Sequence, residues 1–304
     1  MTHFHKLLNQ GLFTVTAEIG PAKNADAEVI KKKASLVKAA ADAFNVTDNQ
    51  TAVVRLSSIA ASALLKEEGL EPILQLSCRD RNRIALQSEV LGASALGVHN
   101  MLFITGDHQS LGNHPQSAGV FEIDAVQLIQ IVKNMRDDNI FQNGEIIRNK
   151  PPEVFIGGVC NPFSDPMDFR ILRLQKKIIA GVDFIQTQSV FDVEKFSIWM
   201  DQVCDLGLND QVFLLAGITP LKSVKMMKRM KYDVPGVLIP EKFERRMLQA
   251  SDPKEEGFSI ACELIDEIKK IKGVHGIHVT ALFWEEIIPE IIKQTNLFPR
   301  PLLD

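Results

Sequence analysis

Glu18 stands in the run Thr-Ala-Glu-Ile-Gly-Pro, a carboxyl inside an apolar segment beside a chain reversal. Desolvation raises the pKa of such a group and suits it to general-acid work near neutral pH. Its other use is to hold a neighbouring loop. Asp107 follows Thr105 and Gly106. A glycine there lets backbone approach a flat ligand closely, and the aspartate can then hydrogen-bond that ligand or tune its charge. Thr187 and Gln188 close another apolar run. Strand neighbours point to opposite faces, so one of the two turns inward. Gln188 both donates and accepts, which suits a heterocycle of alternating ring nitrogens and carbonyls. Arg170, Arg173, Lys176 and Lys177 fall within one helical stretch, with Arg173 and Lys177 on a common face and Lys176 on its flank. Such a cluster meets a pyrophosphate or a polyglutamate tail, or else it is a solvated face.

The elements that must position these groups are legible as eight apolar runs: Phe13–Ile19, Ala43–Thr47, Pro72–Cys78, Met101–Thr105, Val154–Cys160, Val182–Gln188, Val212–Ile218 and Gly276–Leu282. Most end in a polar or glycine-rich tip. Between them the period lengthens to that of an amphipathic helix, over 25–40, 55–68, 81–96, 124–137, 168–180, 193–206, 221–230 and 253–271. Thr219–Pro220 marks a helix start, and Gly181 and Gly207 follow helix ends. The run Gly236–Pro240 is short and ends in proline, so it reads as a loop before a further helix, Lys242–Gln249. Eight strands spaced by helices predict one α/β domain over residues 1–304, a single (β/α)8 TIM barrel, with chemistry at the carboxyl ends of its strands. The long polar loop Gly106–Gly119 then lies on the catalytic face and Asn139–Pro152 on the opposite one. Gly157–Gly158 either bends the fifth strand or leaves room for a ligand ring.

A formal net charge of −4 in 304 residues gives no basic field for nucleic acid or an anionic membrane. No run approaches the about 20 apolar residues of a membrane span. The polar start, Met1–Gln10, lacks the apolar core of a secretory signal, which predicts a cytoplasmic chain. Four scattered cysteines form no Cys-x-x-Cys pair, and seven histidines form no metal-binding spacing, so no metal is expected.

In order and spacing, these tips resemble the methylenetetrahydrofolate reductase family of flavin-dependent barrels. The match runs from about residue 12 to the C-terminus and is carried by Thr16–Ala22, Asn45–Asp48, Leu74–Asn82, Ile104–Asp107, Leu174–Asp192, Ala216–Pro220 and Ile277–His278. The resemblance implies flavin-dependent reduction of 5,10-methylenetetrahydrofolate to 5-methyltetrahydrofolate, by hydride transfer from reduced flavin N5. Glu18 would be the general acid that opens the substrate to its 5-iminium cation. Asp107 would lie beside flavin and folate, and Gln188 would bind the pterin. Thr47, Gln75, Thr105, Gly106, Arg173, Lys176 and Lys177 fall at positions that hold the flavin. The cofactor implied is FAD, with FMN as the alternative.

Departures from the family pattern include Gln75 where many members have histidine, Arg173 in place of asparagine, and Phe283–Trp284 in place of an Asn-Arg pair. They leave two electron donors open, NAD(P)H or an electron-donating partner protein, and two assemblies, a homo-oligomer or a hetero-complex. Two other functions also fit a barrel that binds folate: a pterin methyltransferase without flavin, and a non-catalytic folate- or flavin-binding subunit.

Overall fold

The computed structural model describes residues 1–303. Eight parallel strands close into a barrel in chain order: β1 (Thr14–Ile19), β2 (Ala43–Val46), β3 (Pro72–Ser77), β4 (Asn100–Ile104), β5 (Phe155–Cys160), β6 (Phe184–Ser189), β7 (Phe213–Ile218) and β8 (Gly276–Val279). Closure is made by β1 on β8, with Thr16 opposite His278. The helices are α1 (His3–Asn9), α2 (Ala27–Val37), α3 (Ser58–Glu67), α4 (Arg83–Ala95), α5 (Ala125–Lys133), α6 (Phe169–Ala180), α7 (Val193–Asp205), α8 (Val224–Asp233), α9 (Glu241–Gln249), α10 (Pro253–Ile268) and α11 (Ile288–Gln294). Gly236–Pro240 is a loop, as its proline requires. No helix among the described residues is long and apolar enough to cross a membrane.

Each strand sends alternate residues inward and outward. Outward residues such as Val15, Leu74, Ile156 and Ile185 pack under the helices in the main core. Inward residues form a second, smaller cluster at the amino-terminal end of the barrel: Ala43, Ile73, Leu102, Phe155, Phe184 and Leu215. Phe4 and Leu8 of α1 complete it and close the barrel floor. The Phe4 ring meets Phe184 edge-on at 5.4 Å and Phe155 at 5.9 Å. Burying two such side chains contributes on the order of 4 kcal/mol. Glu71 anchors the helix by accepting from the His3 and Phe4 N–H groups, both at 2.9 Å.

No sequence pattern marks α1, because a few apolar residues in a polar decapeptide have no visible partner until the barrel closes above them. Nor does one mark α11, which packs Ile288, Ile291 and Ile292 into the core. Gly157 is settled by the same closure. A Cβ there would lie 2.3 Å from the Phe184 ring, so its space is filled by the floor of the barrel and not by a ligand. Gly158 faces Ile185, Val182 and Ile129 in the outer layer.

Candidate active site at the carboxyl-end mouth

Above the aromatic floor the lumen turns polar. Asn45 and Gln186 exchange amide hydrogen bonds at 2.6 and 2.9 Å, and Gln186 also donates to Thr16 Oγ1 at 3.1 Å. Thr16 Oγ1 lies 2.9 Å from His278 Nδ1, whose Nε2 lies 3.2 Å from Thr280 Oγ1. Burial holds the His278 pKa down at about 4, so the ring is neutral and can donate at one nitrogen while accepting at the other. This chain gives each of five polar side chains in the barrel interior a hydrogen-bond partner.

The layer forms the base of a cavity of about 610 Å³ at the carboxyl ends of the strands. Glu18, Gln75, Gln188 and Asp107 line it, together with Gln50, Arg170, Arg173 and Lys177. A second cavity of similar volume sits at the opposite end, beside α1 and the C-terminal segment. It holds none of the strand-tip groups; its Arg300–Asp42 ion pair ties the C-terminal segment to the barrel.

Glu18 ends the inward row of β1. Protein packed round the carboxyl strips it of water and raises its pKa to about 7, although part of its surface still faces the mouth. A hydrogen bond from Gln50 Nε2 to Glu18 Oε1 at 3.2 Å opposes the rise. Glu285 adds to it, while Lys33 and Arg55 reduce it. Lys33 is itself paired with Glu285 at 2.8 Å, which mutes both. The result is a carboxyl that holds or releases its proton near neutrality.

Asp107 sits exposed on the rim, where Arg79 Nη1 donates to its carbonyl at 3.2 Å. Gly106 adopts φ +92°, and a Cβ there would crowd Ser77 and Arg79 at 3.2 and 3.1 Å. Only glycine lets the backbone take that course. Gln188 lines the cavity and accepts from Ser189 N–H at 3.1 Å. Thr187 spends its hydroxyl on the Gly217 N–H and the Gln188 carbonyl, at 2.9 and 2.8 Å, and so holds the irregular β6–β7 edge.

The cationic cluster of α6 divides between two faces. Arg170, Arg173 and Lys177 turn to the cavity. Lys177 donates to the Val159 carbonyl, and burial lowers its pKa. Arg173 Nη1 donates to Ser164 Oγ at 3.1 Å. Lys176, expected beside the flavin, instead faces the groove between α5 and α6 with Val126, Gln130 and Ile179. The reason is helical phase: one residue rotates the side chain by about 100°. Thr105 does not line the cavity either. It is exposed, and its hydroxyl accepts from Ala125 N–H at 3.3 Å, at the start of α5.

Thr47 Oγ1 and Ser77 Oγ, near the tips of the adjacent β2 and β3, are buried without a hydrogen-bond partner. Such atoms are left for water or a bound group to satisfy. Hydroxyls and Gln75 on one side, with the cations of α6 on the other, form a donor set that fits a polar heterocycle bearing phosphate. Cys160, also at the mouth, is kept protonated by burial, which raises its thiol pKa to about 12. Among the described residues no three histidine, cysteine or acidic side chains are grouped to hold a metal.

Several members of the mouth went unrecognised in the sequence. Gln50 and Arg79 sit in polar tips that look like any loop. Asn45, Gln186 and Thr16 occupy strand interiors, where only the phase of the alternation marks them as inward.

Fold and site together define a (β/α)8 barrel whose carboxyl-end cavity sets a proton-holding acid among amides and cations. The model of the methylenetetrahydrofolate reductase family matches residues 3–296, and the chain belongs to that family. It is 24% identical over 239 residues to methylenetetrahydrofolate reductase 1 of Schizosaccharomyces pombe, covering 77% of this chain and 37% of that protein. It is 26% identical over 218 residues to 5,10-methylenetetrahydrofolate reductase of Salmonella typhimurium, covering 70% of this chain and 66% of the relative. The chain thus spans little more than a third of the yeast protein and about two thirds of the bacterial one. A solved structure of similar fold, an uncharacterized protein from Clostridium thermocellum that binds two copies of 5-methyl-5,6,7,8-tetrahydrofolic acid, superposes with a TM-score of 0.68 at 16% identity. It covers 96% of this chain and 97% of its own.

Proposed function

We propose that this chain catalyses the flavin-dependent reduction of 5,10-methylenetetrahydrofolate to 5-methyltetrahydrofolate, with Glu18 as general acid. The observation that carries the reading is a carboxyl at the mouth with its pKa raised to about 7, in a family named for that reaction. The reaction needs a proton before it needs a hydride. Protonation at N10 of the substrate by Glu18 lets the N10–methylene bond break and leaves the iminium at N5. An acid of pKa near 7 is half charged at neutral pH, able to give the proton and to recover it. Flavin, when bound, would supply the hydride chemistry.

The protein's own part is binding, orientation and exclusion of water. Thr47, Gln75, Ser77 and Gly106 would hold the ring system, and Arg173 and Lys177 its phosphate. Gln188 would pair with the pterin edge and Asp107 would face both rings from the rim. The physiological donor would be NAD(P)H or an electron-donating partner protein.

The purified protein is expected to be yellow. Its flavin should bleach under a chemical reductant and regain colour when methylenetetrahydrofolate is added anaerobically, with 5-methyltetrahydrofolate as product. Colourless protein that binds folate would replace this reading with a flavin-free pterin methyltransferase.

A further inference from the structure

We propose that Gln50 is a positioning residue: its amide occupies Glu18 Oε1 as a donor and so leaves the transferable proton on Oε2. The assignment rests on the acid role of Glu18 given above. The Gln50 amide reaches the carboxyl at 3.2 Å. An oxygen that accepts this bond is the carbonyl-like oxygen of the protonated acid, and the O–H belongs on the other.

The turn that carries Gln50 is built to hold it there. Asn49, Thr51 and Ala52 all adopt left-handed φ, at 42°, 55° and 54°, which non-glycine residues keep only where neighbours force it. Arg79 Nη2 donates to the Asn49 carbonyl at 3.2 Å, and Asn49 Oδ1 accepts from Arg55 N–H at 3.0 Å. Thr51 Oγ1 donates to the Gln50 carbonyl at 2.7 Å. The loop after β4 closes on the same turn: Val54 N–H donates to Asn113 Oδ1 at 3.3 Å, and a Cβ on Gly112 would lie 1.8 Å from the Ala52 carbonyl. Arg79 therefore ties the loop bearing Asp107 to the turn bearing Gln50. These contacts fix the backbone of the turn from which the Gln50 side chain reaches the carboxyl.

The other charged groups facing Glu18 are Glu285 beyond β8, Lys33 on α2 and Arg55 after the turn. Lys33 is engaged with Glu285 and the Gly20 carbonyl, and Arg55 with the Pro21 carbonyl at 3.1 Å. Gln50 is the group among them that bonds the carboxyl directly.

The test uses the intact protein labelled with carboxyl ¹³C glutamate. Subtracting Glu18→Gln isolates the Glu18 signal in NMR titration and in infrared difference spectra. Gln50→Met keeps side-chain length but removes the donor. It should raise the Glu18 midpoint by about one pH unit and move the protonated carbonyl stretch to higher wavenumber. Ala52→Gly suits the left-handed φ of the turn and keeps the amide in place, and should change neither. In the folate half-reaction the basic limb of the Gln50→Met pH profile should move with the midpoint. An unmoved midpoint and stretch in Gln50→Met, or an equal shift in Ala52→Gly, overturns the assignment. The spectroscopic arm needs neither flavin nor folate, so a shift seen in protein that never reduces folate supports the bond to Gln50 and sinks the reductase reading alone.

Discussion

The side-chain amides of Asn45 and Gln186 bond to each other in both directions across the barrel lumen, at 2.6 and 2.9 Å, from strands 141 residues apart. Both are buried, so removing one strands the other in a dry interior. Asn45→Leu and Gln186→Leu should each cost about 2–3 kcal/mol of stability by urea denaturation. The double substitution should cost clearly less than the sum, because each single variant strands one amide and the double strands neither. Additive losses would mean the pair is not coupled.

Under the proposed function, Glu18 would link catalysis to pH. Its raised pKa means the acid form dominates below about 7. The folate half-reaction should therefore fall about tenfold per unit as pH rises above that value. Glu18→Gln should slow that half-reaction by about 10²–10⁴ while sparing flavin reduction by its donor. Equal loss of both half-reactions in stopped-flow absorbance would make Glu18 structural.

The same carboxyl burdens the fold. Its folded pKa lies above the unfolded value of 4.5, so the folded state holds the proton more tightly. Stability from this group is complete below pH 4.5 and is lost as pH rises through about 7. Between pH 4 and pH 8, Glu18→Gln should gain about 2–3 kcal/mol relative to the parent. A pH-independent difference in Tm and denaturation midpoint would contradict the desolvation of Glu18.

Lys177 and Lys176 are adjacent in the chain and opposite in consequence. Lys177→Met should weaken flavin binding about tenfold or more, since it removes a cation from the cavity wall. Lys176→Met should leave it unchanged, since that side chain lies in the α5–α6 groove. Fluorescence quenching of added FAD and FMN measures both, and equal effects would place the phosphate elsewhere.

Arg79 is expected to hold two loops at once. Arg79→Lys keeps the charge but loses the fork that serves the Asp107 and Asn49 carbonyls. Limited proteolysis should then cut the loop 106–119 faster, with the rest of the chain still resistant.

Much of this architecture could be read residue by residue. Apolar runs with polar tips marked all eight strands to within a few residues, because strand alternation and helical period are local properties of the chain. An acid at an apolar strand end announced Glu18, since desolvation follows from its immediate neighbours. What the runs could not announce was phase. Whether Gln186 or Thr187 looks into the lumen, and whether Lys176 or Lys177 looks at the cavity, turns on one residue of register against elements far away in sequence.

The sequence alone determined that there would be a barrel, at which end its polar strand tips would lie, and that Glu18 would stand there with a raised pKa. Tertiary structure alone decided that α1 seals the floor, that Asn45, Gln186, Thr16 and His278 share one bonded layer, and that Gln50 bonds the acid. The reason is range: periodicity and desolvation by neighbours act over a few residues, whereas closing β1 on β8 brings together side chains no local pattern connects.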